Sequence, residues 1–112
     1  MLSALKAECV DQLTLGGRAM EVRNAAAVAA AGNVPVWIQM GGVCLGMLAA
    51  YSVHVQATIP NATLPCDELP HVRKADVLGG SLILEDGHFT VPEGPGLGVK
   101  LDLAVVEEYR VG

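Results

Sequence analysis

No aspartate, glutamate, lysine or arginine occurs between Arg23 and Asp67. A run this long without a charge must be hidden from water over most of its surface, and few architectures can do that. Residues 34–53 are long and uncharged enough to cross a bilayer as a helix. Pro35, Gln39, Gly41, Gly42 and Gly46 interrupt that span, and no Lys or Arg flanks its ends as an anchor. A parallel strand covered on both faces, followed by a packed helix, has the same composition. The expectation is a buried α/β unit without membrane contact.

The flanking pattern supports it. Met1 to Lys6 reads as the end of a helix. Cys9 to Leu13 is a short strand candidate, and Gly16-Gly17 a turn. Arg18 to Ala31 is alanine-rich and favours helix, with Gly32 placed to close it as a C′ glycine. Val34 to Gln39 is β-branched and aromatic, a strand with proline near its start. Gly41-Gly42 is a second turn. Val43 to Ala57 reads as a second helix, with Leu48, Tyr51 and Val55 at helical spacing, and Pro60 stops it. Thr63 to Cys66 is a third strand candidate. Alternating strands and helices with glycine-containing loops indicate a parallel α/β sheet. Beyond it, Ser81–Leu84 and His88–Val91 flank Glu85-Asp86-Gly87, a hairpin signal. A short amphipathic tail runs from Leu101 to Arg110.

Composition narrows the function classes. A chain of 112 residues makes one domain, 1–112. It divides into a β-α-β-α-β portion, 1–69, and a closing hairpin and tail, 70–112. With 52% hydrophobic and 17% charged residues it is not a disordered chain. The net charge of −5 and the lack of any basic run argue against nucleic acid as a partner. Cys9, Cys44 and Cys66 are odd in number and lack metal-ligand spacing, which fits free thiols in a reducing cytoplasm. Residues 1–6 lack the layout of a signal peptide.

The stretch Glu93-Gly-Pro-Gly-Leu-Gly-Val-Lys-Leu-Asp102 is too rich in glycine and proline for a helix or an interior strand. It resembles the closing segment of the mandelate racemase/muconate lactonizing branch of the enolase superfamily. Asp11 to Gly17, Val34-Pro-Val36 and Ile59-Pro-Asn-Ala-Thr-Leu-Pro-Cys-Asp-Glu-Leu69 are similar to that family's landmarks around barrel strands six, seven and eight. The resemblance implies a partial (β/α)8 barrel, about its last three strands with two helices, followed by a C-terminal β-hairpin and short tail. It covers the last third of a family member.

The family's enzymes abstract a proton α to a carboxylate and stabilise the enediolate on Mg²⁺. The resemblance places the magnesium carboxylates on strands three to five and a Lys-x-Lys base motif on strand two, with no counterpart in these residues. No metal ligand or cofactor is therefore assigned to this chain, which is expected to be inactive alone. Asp11 matches the strand-six position of a catalytic Lys or Asp. Gln39 matches the strand-seven position of a His base, and glutamine cannot act as a base at neutral pH. Asp67 resembles the acidic residue that handles substrate oxygen or charge at the end of strand eight. Glu68 is the one-residue register alternative, assigned to substrate binding. For Asp11, Asp67 and Glu68 a solvated carboxylate explains the sequence as simply.

Other polar residues point elsewhere. His54 lies mid-helix, where a hydrogen-bonded histidine is expected rather than a ligand. His71 and His88 have no Cys, Asp or Glu at metal spacing. Trp37, between Val36 and Ile38, reads as a packing residue. Asn61-Ala-Thr63 matches a glycosylation acceptor without a secretory signal.

Three strands of a barrel leave open edges and an uncovered face. Homo-oligomerisation through those edges is expected, or pairing with a chain that supplies the rest of the barrel. A small oligomeric α/β binding module without catalysis is the alternative reading.

Overall fold

The computed structural model describes residues 1–39, 46–67 and 73–111. In order these form α1 (Leu2–Lys6), β1 (Leu13–Leu15), α2 (Ala19–Ala31), β2 (Val36–Ile38), α3 (Gly46–Ala57), β3 (Leu84–Glu85), β4 (His88–Phe89) and α4 (Leu103–Glu108). β1 and β2 pair in parallel, with Leu13 opposite Val36, Thr14 opposite Trp37 and Leu15 opposite Ile38. β3 and β4 form a separate antiparallel ribbon.

Alternation along the parallel pair sets one face against the helices. Val36 and Ile38 are buried with Val22, Ala26 and Ala29 of α2, Val34, Val55 of α3 and Ile59, and Leu13 and Leu15 pack against this cluster. The α2 residues recur at i, i+4 and i+7, the spacing of one helix face. Alanine at two of the three lets α2 lie close to the strands. Each fully buried valine or isoleucine contributes about 1.5–3 kcal/mol.

The first strand lies two to four residues later than expected. Cys9 belongs to the exit of α1, where its N–H donates to the Ala4 carbonyl at 3.2 Å and Glu8 takes φ 50°. The strand begins where leucines at every second position can reach the core. At the end of α2, Gly32 has an ordinary φ of −99°, and Asn33 adopts the left-handed conformation at φ 55°. Asparagine tolerates that region because its short amide bonds locally. The Val34 N–H then returns to the Ala29 carbonyl at 3.0 Å.

The third strand expected over Thr63–Cys66 does not form. Pro65 offers no N–H to a ladder, and one strand-like bond survives upstream, from the Val36 N–H to the Asn61 carbonyl at 2.9 Å. Cys66 instead joins a second cluster with Ala49 and Val53 of α3, Leu82 and Phe89. Residues 41–45, which hold the expected second turn and the first residues of the second helix, lie outside the described residues, as do Glu68 and His71.

The hairpin is tighter than the three-residue connection expected. Glu85 pairs with His88, and Asp86 and Gly87 alone make the turn at φ 48° and 76°. Positive φ at both central positions is the type I′ turn, whose twist matches the strands. In the tail, the Asp102 N–H donates to the Val77 carbonyl at 2.7 Å. The Asp102 Oδ1 accepts from the N–H groups of Ala104 at 3.0 Å and Val105 at 3.2 Å, capping α4.

Candidate functional site

The parallel pair has a second face, opposite the helices. Side chains alternate along a strand, so Thr14 and Trp37, paired across the strands, point away from Val36 and Ile38. Gln39 continues the parity of Trp37, just past the end of β2. Its N–H donates to the Leu15 carbonyl at 2.8 Å, extending the ladder. A Cβ placed on Gly16 would lie 3.6 Å from both Cβ and Oε1 of Gln39. Gly16 and Gln39 thus form a ledge at the carboxyl ends of both strands, the side on which parallel α/β folds bind ligands.

Two links hold the ledge. Gly17 at φ 123° turns the chain from β1 into α2, and the Glu21 carboxylate accepts from the Arg18 N–H at 3.4 Å. Tyr51 of α3 receives the Ala19 N–H on its hydroxyl at 2.6 Å, fixing the first turn of α2 against α3. Sequence reasoning used Tyr51 only as an apolar position. It also missed Asn61, whose amide donates to the carbonyls of Ala26 and Val34, each at 3.1 Å. Within the glycosylation-like triplet, Asn61 itself is a half-buried structural clasp. A half-polar residue on an apolar helix face, and an Asn between two prolines, were the available signals.

The predicted site residues do not all converge. Asp11 is exposed and precedes β1, whereas Gln39 follows β2. The structure therefore places Asp11 and Gln39 at opposite ends of the pair. Asp67 is half-buried beside Cys66, on the segment leading away from α3. Glu68 lies outside the described residues.

Among the described residues, no three His, Cys, Asp or Glu side chains converge in a way that could hold a metal ion. The described residues therefore offer no ready donor set for a magnesium ion. A cleft of about 540 Å³ opens between the C-terminal half of α3, residues 62–66 and the hairpin, with Cys66 and His88 both on its wall. His54 does not face a ligand: its Nε2 lies 3.0 Å from the Leu97 carbonyl. No helix among the described residues is long and apolar enough to cross a membrane.

Residues 4–105 match the family described as Enolase C-terminal domain-like. The chain belongs to this family. It falls in the mandelate racemase/muconate lactonizing branch of the enolase superfamily. It is 38% identical over 105 residues to an N-succinylamino acid racemase of Thermus thermophilus, covering 91% of this chain and 27% of the relative. It is 35% identical over 100 residues to a chloromuconate cycloisomerase of Pseudomonas putida, covering 84% of this chain and 26% of that enzyme. A crystal structure of an enolase from Mycobacterium smegmatis with formate and acetate superposes with a TM-score of 0.83 at 28% identity, over 95% of this chain and 26% of that one. The enolase-family chain thus spans about a quarter of these relatives, less than the third expected from the sequence.

Proposed function

We propose that residues 1–112 form the closing portion of a (β/α)8 barrel enzyme that abstracts a proton α to a carboxylate, of the acid-sugar dehydratase or cycloisomerase type. The observation that carries this is the ledge of Gly16 and Gln39 at the carboxyl ends of β1 and β2, in a chain of this family. The segment supplies walls and polar contacts, and is inactive until the remaining strands are joined to it. The magnesium ion of the complete enzymes is held by those other strands.

Gln39 is suited to substrate binding. Its amide donates and accepts hydrogen bonds but does not take a proton at neutral pH. Asp67, with Glu68 as its neighbour in register, orients substrate charge at the end of the next strand position. Asp11 joins this site only if pairing with a preceding strand reshapes the residues ahead of β1.

The test is co-expression of residues 1–112 with the leading three quarters of the Thermus N-succinylamino acid racemase. Exchange of the substrate α-proton is followed by NMR in D₂O. The chain alone should show no exchange, and the assembled pair should show it. Exchange by the chain alone, or failure of the two parts to associate, would refute the reading.

The cleft between α3 and the hairpin favours a second reading, a small oligomeric binding module without catalysis. Saturable binding of a small molecule by the chain alone, unaffected by metal, would support that reading instead.

A further inference from the structure

Trp37 stands in the middle of β2 between two buried residues, Val36 and Ile38, and is itself only half-buried. It pairs with Thr14 across the strands, on the face away from the helices. It belongs to neither apolar cluster, the one shared by α2, β2 and α3 or the one around Cys66. The bulkiest side chain of the strand pair thus lies outside the chain's own core.

The polar groups of this face are also unused. The Trp37 indole N–H, the Thr14 hydroxyl and the Gln39 amide make no hydrogen bond among the described residues, whereas Tyr51 and Asn61 on the helix side are both bonded. Gly16 continues the register opposite Gln39. Its φ is not positive, and a Cβ there would make only ordinary contact with Gln39 at 3.6 Å. Neither its backbone nor its neighbours demand glycine, and its effect is to leave the Gln39 amide uncovered.

Thr14, Gly16, Trp37 and Gln39 carry no charge. An ionic group laid on them would lose its water without gaining a counter-charge. A flat apolar group would exchange water for the indole face. A neutral polar group beside it would find the indole N–H as donor and the Gln39 amide as donor and acceptor.

We propose that Trp37 is a specificity-determining residue, whose indole forms the floor below Gln39 on which an uncharged, apolar substituent of the substrate rests. This rests on the proposed function and narrows it to acids with a hydrocarbon substituent over polyhydroxylated ones. The charged end of the substrate lies elsewhere in the barrel.

The assembled pair described above tests it, with N-succinylphenylalanine and N-succinylaspartate as probes and α-proton exchange as the readout. The probes share the reacting centre and differ in one side chain. The wild-type pair should favour the phenylalanine compound by about tenfold or more in kcat/KM. Trp37→Ala should raise KM for that compound about tenfold, the size of one aromatic contact, with kcat within about twofold. Trp37→Phe should recover most of the loss, and KM for the aspartate compound should stay in place. Gly16→Val, at an exposed position that leaves Trp37 intact, should raise the same KM by covering Gln39. A tryptophan that only packs would lower the melting temperature, and kcat for both probes alike, and that result would overturn the proposal. No exchange by the wild-type pair removes the underlying reading and this inference with it. Exchange with a probe preference that neither Trp37→Ala nor Gly16→Val moves overturns this inference alone.

Discussion

The Nε2 atom of His54 lies 3.0 Å from the carbonyl oxygen of Leu97, joining the middle of α3 to the glycine-proline string near the C-terminus. A carbonyl only accepts, so Nε2 carries the proton. The bond is long-range in sequence and half-buried, and it pins a segment that has little regular structure of its own. Replacing His54 by Leu keeps most of the volume and removes the donor. The expected loss is about 1 kcal/mol of unfolding free energy, read as a lower urea midpoint at unchanged slope. His54→Gln, which can still donate, should lose less. Equal losses for both would mean that the string is held by something else.

Glycines in that string differ in what they tolerate. Gly96 and Gly98 both have φ 67°. A Cβ on Gly96 would meet nothing within 4 Å, whereas one on Gly98 would lie 2.8 Å from the Pro92 carbonyl carbon and 2.9 Å from its oxygen. Gly96→Ala should cost only the left-handed penalty, about 1–2 kcal/mol. Gly98→Ala adds overlap with backbone that cannot rotate aside, about 1–3 kcal/mol more. Thermal melts of the two variants should therefore separate clearly, with Gly98→Ala the lower.

Asn61 is expected to be costly to replace. Asn61→Ala removes both bonds, to the Ala26 and Val34 carbonyls, a loss of about 1–3 kcal/mol at about 0.5–1.5 kcal/mol each. Asn61→Asp should be at least as damaging at neutral pH, because it turns a carboxylate toward two carbonyl oxygens. Urea denaturation of the two variants checks this, and an unchanged midpoint for Asn61→Asp would contradict the clasp.

Close packing at the start of α3 gives a further expectation. A Cβ on Gly46 would fall 2.5 Å from Asp76 Oδ1 and 2.7 Å from Leu78 Cγ, and Leu78 is 2% exposed. Gly46→Ala must displace a buried leucine, at about 1–3 kcal/mol. Gly80→Ala, with open space around it, bears only its backbone penalty.

The sequence was most legible where burial and turn chemistry act over short distances. The charge-free run marked β2 and the helix that follows it, and Val36, Ile38 and Val55 share one core, although helices cover only one face of the strand rather than both. Asp86-Gly87 declared the hairpin, since few residue pairs accept positive φ twice. The closing string and the barrel landmarks identified the family. What was less legible depended on choices among near-equivalent partners. Cys9–Leu13 and Leu13–Leu15 are both β-capable, and pairing with Val36 and Ile38 selected the second. Thr63–Cys66 has strand-like residues but, among the described residues, no partner strand. The opposition of Asp11 and Gln39 across the pair followed from that register, and the polar links made by Tyr51 and Asn61 join residues 27 to 35 positions apart.

The division between this segment and the metal-holding part of the barrel is tested most directly by a thermal melt of the 112-residue chain with and without millimolar Mg²⁺. A ligand present at a hundredfold its dissociation constant stabilises by about 2.7 kcal/mol, a shift of about 10 °C or more for a domain near this size. The expected result is a cooperative melt that Mg²⁺ leaves in place. A midpoint raised by several degrees would show a magnesium site within these residues and contradict the assignment of the metal centre to the rest of the barrel.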